Sequence, residues 1–99
     1  MIFNFELSRL ALMDLEEIWL YTSKIWSKQQ ANKYYEEIFK VINEICINSR
    51  IGESIDFVKK GHRKINVKSH IIFYKITSEI IYIDRILHHN MDIEAYLNK

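Results

Sequence analysis

Apolar and polar residues alternate strictly over IFNFEL at residues 2–7, with Phe3, Phe5 and Leu7 on one side and Ile2, Asn4 and Glu6 on the other. Period two with aromatics predicts a β-strand with one wet face. The period then changes. Beyond Ser8, which can cap a helix, Leu12, Leu15, Trp19, Thr22 and Trp26 recur at three- and four-residue spacing, flanked by Ala11, Ile18 and Ile25. That is a broad apolar stripe on one helix. Asp14, Glu16 and Glu17 fall in its early part, where the helix dipole mildly favours acids. Ser27-Lys28-Gln29-Gln30 matches the S-x-x-Q capping box, so a second helix starts directly after the first. Its apolar face is Ala31, Tyr34, Tyr35, Ile38, Val41, Ile42, Ile45 and Cys46, and it ends between Asn48 and Gly52. So short a joint predicts an αα-hairpin.

Residues 53–60 predict an irregular loop. Three apolar, β-branched runs follow: HRKINV, HIIFYKI and IIYIDRIL. Each has strand length, and the spacers Lys68-Ser69 and Thr77-Ser78 have hairpin length. MDIEAYL at 91–97 predicts a last short helix. The order β-α-α-β-β-β-(α) defines the fold class as α+β: a small antiparallel sheet packed against an N-terminal helical hairpin, in one domain over residues 1–99. The first strand must join the same sheet. With two-residue turns, Arg63, Ile65, Val67, His70, Ile72, Tyr74, Ile76, Ile81, Ile83, Arg85 and Leu87 share the face that meets the helices. Lys64, Asn66, Ile71, Phe73, Lys75, Ile80, Tyr82, Asp84 and Ile86 take the other. A one-residue slip flips a strand. In this register His70 and Arg85 are cross-strand neighbours at one end of the core face.

Composition narrows the class. Of 99 residues, 48% are hydrophobic and 27% charged, as in a globular rather than a disordered chain. There is no proline, and Gly52 and Gly61 are the two glycines. Cys46 is the one cysteine, so neither an internal disulfide nor a cysteine zinc cluster is available. On the apolar helix face it reads as a core residue. No run reaches the ~18 apolar residues of a membrane span, and the N-terminus lacks a signal peptide's pattern. A cytoplasmic protein is expected, with no membrane partner.

The net charge of +1 is unevenly spread. Residues 1–58 carry six Lys or Arg against nine Asp or Glu, and residues 59–99 carry eight against four. Lys59 to His70 holds five Lys or Arg and two His with no acid. Such a stretch attracts phosphate or an acidic protein surface; alternatively its lysines keep a hairpin edge soluble. Lys60, Arg63, Lys64, Lys68, His70 and Arg85 are therefore the candidates for contacting a target.

Candidate chemistry concentrates in RILHHNMD at residues 85–92. A metal site is disfavoured, because adjacent histidines point to different sides of a strand or helix and no H-x-x-x-H pair accompanies them. No cofactor is expected. Metal-free RNA cleavage needs a base, an acid and cations around the phosphate. Arg63, Lys64, Arg85, His88 and His89 could supply these. A structural joint competes with that reading. Arginine on a core face must be paired, and Asp14 and Glu17 are its natural partners. His88 could satisfy backbone groups where the strand leaves the sheet, and Asp92 could cap the last helix. The Trp19 and Trp26 stripe reads as core, or as a groove for an amphipathic partner segment, with Tyr21, Tyr34 and Tyr35 beside it.

Short motifs recur in order along the chain: Ala11, Asp14-Leu15, Ile18 and Tyr21; Trp26, Gln30-Ala31 and Tyr34-Tyr35; Asn48 and Ile51-Gly52; Gly61-His62-Arg63; Ser69-His70-Ile71-Ile72-Phe73-Tyr74; and Arg85-Ile86-Leu87-His88-His89-Asn90-Met91-Asp92. In these the sequence resembles the ParE toxins of the RelE/ParE superfamily, the toxin half of bacterial type II toxin–antitoxin pairs. It departs from them at Ser49, where the family usually has proline.

The resemblance implies two antiparallel helices on a small sheet. It implies a cognate ParD-like antitoxin, for which Trp19, Trp26, Tyr34 and Tyr35 are the groove candidates. It further implies DNA gyrase as target, without enzymatic activity and without direct specific DNA binding by the toxin alone. Asp14, Arg85, His88, Met91 and Asp92 then mark the motif or a structural joint. RelE-like relatives cut messenger RNA, so a ribonuclease using Arg63, Arg85, His88 and His89 is the alternative.

Overall fold

The structure, a computed structural model, describes residues 2–98. Its elements are β1 (Asn4–Leu7), α1 (Arg9–Ile25), α2 (Lys28–Ile47), β2 (Glu53–Ser54), β3 (His62–Val67), β4 (His70–Ile76), β5 (Ile80–His88) and α3 (Ile93–Leu97). The strands form one sheet in the order β1-β5-β4-β3-β2. It is antiparallel from β2 through β5, and β1 joins β5 in parallel. A parallel neighbour needs a long crossover connection, which the helical hairpin and the following strands supply. The two-residue β2 lies inside the segment expected to be irregular, where Glu53 pairs with Lys64 and Ser54 with Arg63.

The helix starts follow the capping residues. Ser8 Oγ accepts from Ala11 N–H at 2.9 Å, and Ser27 Oγ accepts from Gln30 N–H at 3.0 Å. Ser8 also fixes how α1 meets the sheet. Its N–H donates to Ile83 O and its hydroxyl to Asp84 O, at 2.9 and 2.6 Å. Pinned there, α1 turns Ala11, Leu15 and Ile18 into the core. Leu12, Ile25 and Trp26, assigned by spacing to the apolar stripe, are exposed instead, Trp26 by 76%. The stripe is real, but it is centred one residue away. α2 buries Ala31, Ile38, Ile42, Ile45 and Cys46 as its pattern predicts.

The turn after β3 has two residues, since Val67 pairs with His70. It contains no glycine, and Lys68 adopts the left-handed conformation at φ 53°. Such hairpin turns need positive φ, so a lysine takes on a modest backbone cost here.

Register departs from the alternating assignment in the middle of β5. Tyr74 pairs with Ile83 and Phe73 with Arg85, which leaves Asp84 as an extra residue between them. A bulge of this kind shifts every later side chain to the other face. Ile86 therefore enters the core under the helices, where Leu87 had been expected. Leu87 joins Phe73, Ile55 and Leu97 in a second cluster on the opposite face, beneath α3. Thr77 N–H donates to Ile80 O and Ile76 pairs with Ile81, so the turn after β4 is Ser78-Glu79 rather than Thr77-Ser78. That shift and the bulge together set His70 opposite His88 and Arg85 opposite Phe73, so His70 and Arg85 are not cross-strand neighbours.

A groove under the helical hairpin

Beyond Leu7, β1 no longer flanks β5, and the first helix takes over its edge. Asp14 sits there on α1. Its Oδ2 accepts from the Ile86 N–H at 3.0 Å, an edge-pointing donor with no strand beside it. The same carboxylate takes Arg85 in bidentate fashion, Nε to Oδ2 and Nη2 to Oδ1, both at 2.9 Å. Arg85 Nη1 donates to Tyr96 O at 3.3 Å, and its guanidinium lies 5.7 Å from the Tyr96 ring centre. Arg85 is only 8% exposed. The hydrogen bonds to Asp14 hold its pKa above the ordinary arginine value, outweighing the cost of burial. Arginine forks of this geometry are strong and directional. Glu17, the other partner considered, lies on the groove instead.

A second joint gathers three of the ordered motifs. The Tyr74 hydroxyl donates to Ser49 O at 2.8 Å and accepts from Gly52 N–H at 2.9 Å. Arg63 Nη1 donates to Gly52 O at 2.7 Å. A Cβ on Gly52 would stand 2.7 Å from that hydroxyl and 2.8 Å from Lys64 O, so only glycine fits. A third cluster was not foreseen. Asp84 Oδ2 receives Lys59 Nζ at 2.9 Å and lies 3.2 Å from His62 Nε2, and Lys59 also donates to Leu97 O at 2.8 Å. The signal was an aspartate inside an apolar strand, where a buried acid needs a partner.

Between the helical hairpin and the sheet edge lies an open groove of about 710 Å³. Ile18, Thr22 and Tyr34 on the helices, Ile86 on β5, and Trp26 and Met91 at the mouth make its apolar surface. Glu17, Glu37, Lys33 and Lys68 stand around it, with Lys68 Nζ bridging to Glu37 Oε2 at 3.1 Å. His70 and His88 form part of the wall. The Tyr34 hydroxyl lies 2.7 Å from His70 Nδ1 and 3.0 Å from Val67 O. The His70 and His88 rings meet edge to face at 5.3 Å, and His88 and His89 lie 4.6 Å apart. Burial first, then the neighbouring His88 and His89, lowers the His70 pKa to about 4, against a smaller opposing effect of Asp14. Burial likewise raises Tyr34. At neutral pH this pair is a neutral imidazole beside a neutral phenol.

The candidate residues thus separate. Trp26, Tyr34, His70, His88, Met91, Lys68 and Asp14 line the groove. Trp19 and Tyr35, grouped with Trp26 and Tyr34 by sequence, do not. Trp19 Nε1 donates to Asn32 Oδ1 across the hairpin at 2.9 Å, and Tyr35 packs on Phe39 at 5.8 Å. Arg63 and Arg85 are held in the joints. Lys60 is exposed and Lys64 half-buried, on β3 or just before it, away from the groove. His89 is exposed, with its N–H donated to Ser69 O. His88 Nδ1 accepts from Asn90 N–H at 3.2 Å, and Asp92 caps α3 through Ala95 N–H at 3.4 Å. Among the described residues no group of three or more His, Cys, Asp or Glu could hold a metal ion. None of the described helices is long and apolar enough to cross a membrane.

Fold and groove define a class: a small α+β domain in which a helical hairpin rides on a five-stranded mixed sheet and leaves one side open. A solved chain described as "Chromosomal ParDE TA system from P. aeruginosa" has this fold, with a TM-score of 0.76 at 17% identity, over 88% of this chain and 96% of its own. Residues 5–93 match the family described as ParE toxin of type II toxin-antitoxin system, parDE. A relative named Toxin ParE1 from Mycobacterium tuberculosis (strain ATCC 25618 / H37Rv) is 39% identical over 92 residues, covering 92% of this chain and 94% of the relative. Another Toxin ParE1, from Caulobacter vibrioides (strain ATCC 19089 / CIP 103742 / CB 15), is 32% identical over 93 residues, covering 94% and 96%. The chain belongs to the ParE toxin family of type II toxin–antitoxin systems.

Proposed function

We propose that this toxin acts by binding bacterial DNA gyrase and blocking replication, without chemistry of its own, and that a ParD-like antitoxin neutralises it. The observation that carries the reading is the family match over residues 5–93 joined to an open groove with Trp26 exposed at its mouth. An unfilled apolar groove beside an exposed aromatic suits an amphipathic segment, which anchors apolar side chains at helical or alternate spacing. The antitoxin's segment would lie along Ile18, Ile86 and Met91, its charges meeting Glu17 and Lys33.

The arrangement of cations supports a binder over a nuclease. Phosphoryl chemistry on RNA needs positive charge preorganised toward the phosphate and not already committed to another partner. Arg85 is occupied by Asp14, and Arg63 by Gly52 O. Lys60 and Lys64 remain as candidates for meeting an acidic surface of the target.

The ribonuclease reading rests on one observation, the Tyr34–His70–His88 cluster in the groove wall. Induction in cells separates the two. Arrest of DNA synthesis with unchanged RNA ends supports gyrase. New RNA cleavage ends preceding any replication arrest would establish the nuclease instead.

A further inference from the structure

A neutral imidazole has one donor nitrogen and one acceptor nitrogen. At His88 a backbone bond shows which is which. Asn90 N–H donates to its Nδ1 at 3.2 Å, so the proton of the neutral ring sits on Nε2. That bond spans the turn by which the chain leaves β5. Met91 N–H closes the same turn on His88 O at 3.0 Å. Asn90, Met91 and Asp92 are exposed, and α3 begins only at Ile93. His88, Asn90 and Met91 all line the groove. One ring nitrogen therefore holds part of the surface that a bound segment would cover.

A proton removes this bond. Imidazolium carries N–H on both nitrogens and accepts nothing. Its Nδ1–H would face the Asn90 N–H, donor against donor. Histidine is the side chain whose charge ordinarily changes between about pH 5 and 8.

The surroundings offer a charged His88 no counter-ion. From β4, the His70 ring meets it edge to face at 5.3 Å, and the His89 ring lies 4.6 Å away. Burial first, and then its histidine neighbours, hold the His70 pKa at about 4, so His70 stays neutral through that range. On α1, Asp14 is committed to Arg85 and to Ile86 N–H. On α2, the Tyr34 hydroxyl is turned to His70 and Val67 O, and Glu37 bridges to Lys68 of the β3–β4 turn. Glu17 on α1 and Lys33 on α2 bring opposite charges to the groove. Asp92 is turned to the first turn of α3.

We propose that His88 is a proton switch for the groove: uncharged, it holds the turn from His88 to Met91 in the shape that completes the wall, and its protonation loosens that turn and releases the segment bound there. The release of a segment rests on the antitoxin reading of the groove, whereas the loosening of the turn belongs to the toxin alone.

Two measurements on the full-length chain test the two parts. In the NMR spectrum of the free toxin, the Asn90 amide should move together with the His88 ring between about pH 8 and 5. In His88→Asn it should stay still, because Oδ1 takes the place of Nδ1 and accepts without titrating. Calorimetric titration with the cognate antitoxin should give a dissociation constant roughly tenfold higher near pH 5.5 than near pH 7.5. In His88→Asn that ratio should fall toward one, whatever the affinity itself. Melting curves at both pH values show that each protein is folded. An Asn90 amide that ignores the His88 titration overturns the switch. So does a His88→Asn ratio as large as that of wild type, which places the titrating group elsewhere. An antitoxin that binds at neither pH overturns the reading of the groove instead, and the Asn90 amide then decides on the switch by itself.

Discussion

The carboxylate of Asp14 bonds two nitrogens of Arg85 at 2.9 Å and the N–H of Ile86 at 3.0 Å, closing the edge of β5 where β1 stops. One side chain on the first helix thereby replaces a missing strand and neutralises a buried cation. Asp14 and Arg85 are 71 residues apart in sequence, so their pairing fixes the helical hairpin against the last strand.

Removing either half of this pair strands the other. Arg85→Ala should destabilise the fold by about 3–5 kcal/mol, the usual effect of breaking a buried ion pair. Arg85→Lys keeps the charge but loses the fork, and should fall between wild type and Arg85→Ala. Urea denaturation of the three proteins checks the order. A normal melt for Arg85→Ala combined with loss of toxicity would instead make Arg85 a contact with the target.

The Tyr74–Gly52 joint predicts a second pair of effects. Tyr74→Phe leaves Ser49 O and Gly52 N–H without their shared partner and should cost about 1–3 kcal/mol. Gly52→Ala forces a methyl to within 2.7 Å of the Tyr74 hydroxyl, which overpacks the joint by a similar ~1–3 kcal/mol. The two effects should not add, because they break one contact. Denaturant midpoints of the single and double variants test this.

His70 makes stability dependent on pH. Its pKa is about 4 in the folded chain against 6.5 for a free histidine. The unfolded state therefore binds the proton more readily between those values, and stability should fall as pH drops from 6.5 toward 4. Solvent screening at this partly open site keeps the loss to about 1 kcal/mol. Melting temperatures of wild type and His70→Gln across that window are the check; the variant should show a shallower slope.

Trp26 separates binding from folding. At 76% exposed it contributes little to the core, so Trp26→Ala should melt within about 0.5 kcal/mol of wild type. As an anchor at the groove mouth it should cost about 2 kcal/mol or more in antitoxin affinity. Calorimetric titration with the cognate antitoxin measures it. Trp19→Ala, outside the groove, serves as the comparison and should leave affinity unchanged.

Element boundaries were legible because local rules and tertiary packing agree. Ser8 and Ser27 cap where their side chains reach the first turn. The runs 62–67 and 70–76 became strands with those bounds. A carboxylate partner for Arg85 on the first helix was legible too, since a buried guanidinium demands one, but the sequence left Asp14 and Glu17 both open and the structure selects Asp14. Sidedness beyond Ile83 was not legible. The bulge falls at Asp84, whose carboxylate meets Lys59 and His62 from a distant segment, and the alternation within β5 does not record the change of side. The rotation of α1 escaped for the same reason: Ser8 is tied to a strand more than seventy residues later. Four aromatics on two helices looked like one groove, yet Trp19 and Tyr35 face elsewhere, because helical spacing gives relative angles and not the direction of the core.

RILHHNMD carries two kinds of information. Arg85 and Ile86 meet Asp14, and His88, Asn90 and Asp92 order the exit from β5 into α3. His88, Asn90 and Met91 at the same time line the groove. The stretch is thus a joint whose outer side is available to a partner.

The central claim is that this toxin poisons gyrase by binding. Its most direct test is the supercoiling of relaxed plasmid by purified gyrase with saturating toxin, with and without the cognate antitoxin. The account predicts that supercoiling stops with toxin alone and recovers when antitoxin is added. Undiminished supercoiling in the presence of folded toxin would contradict it.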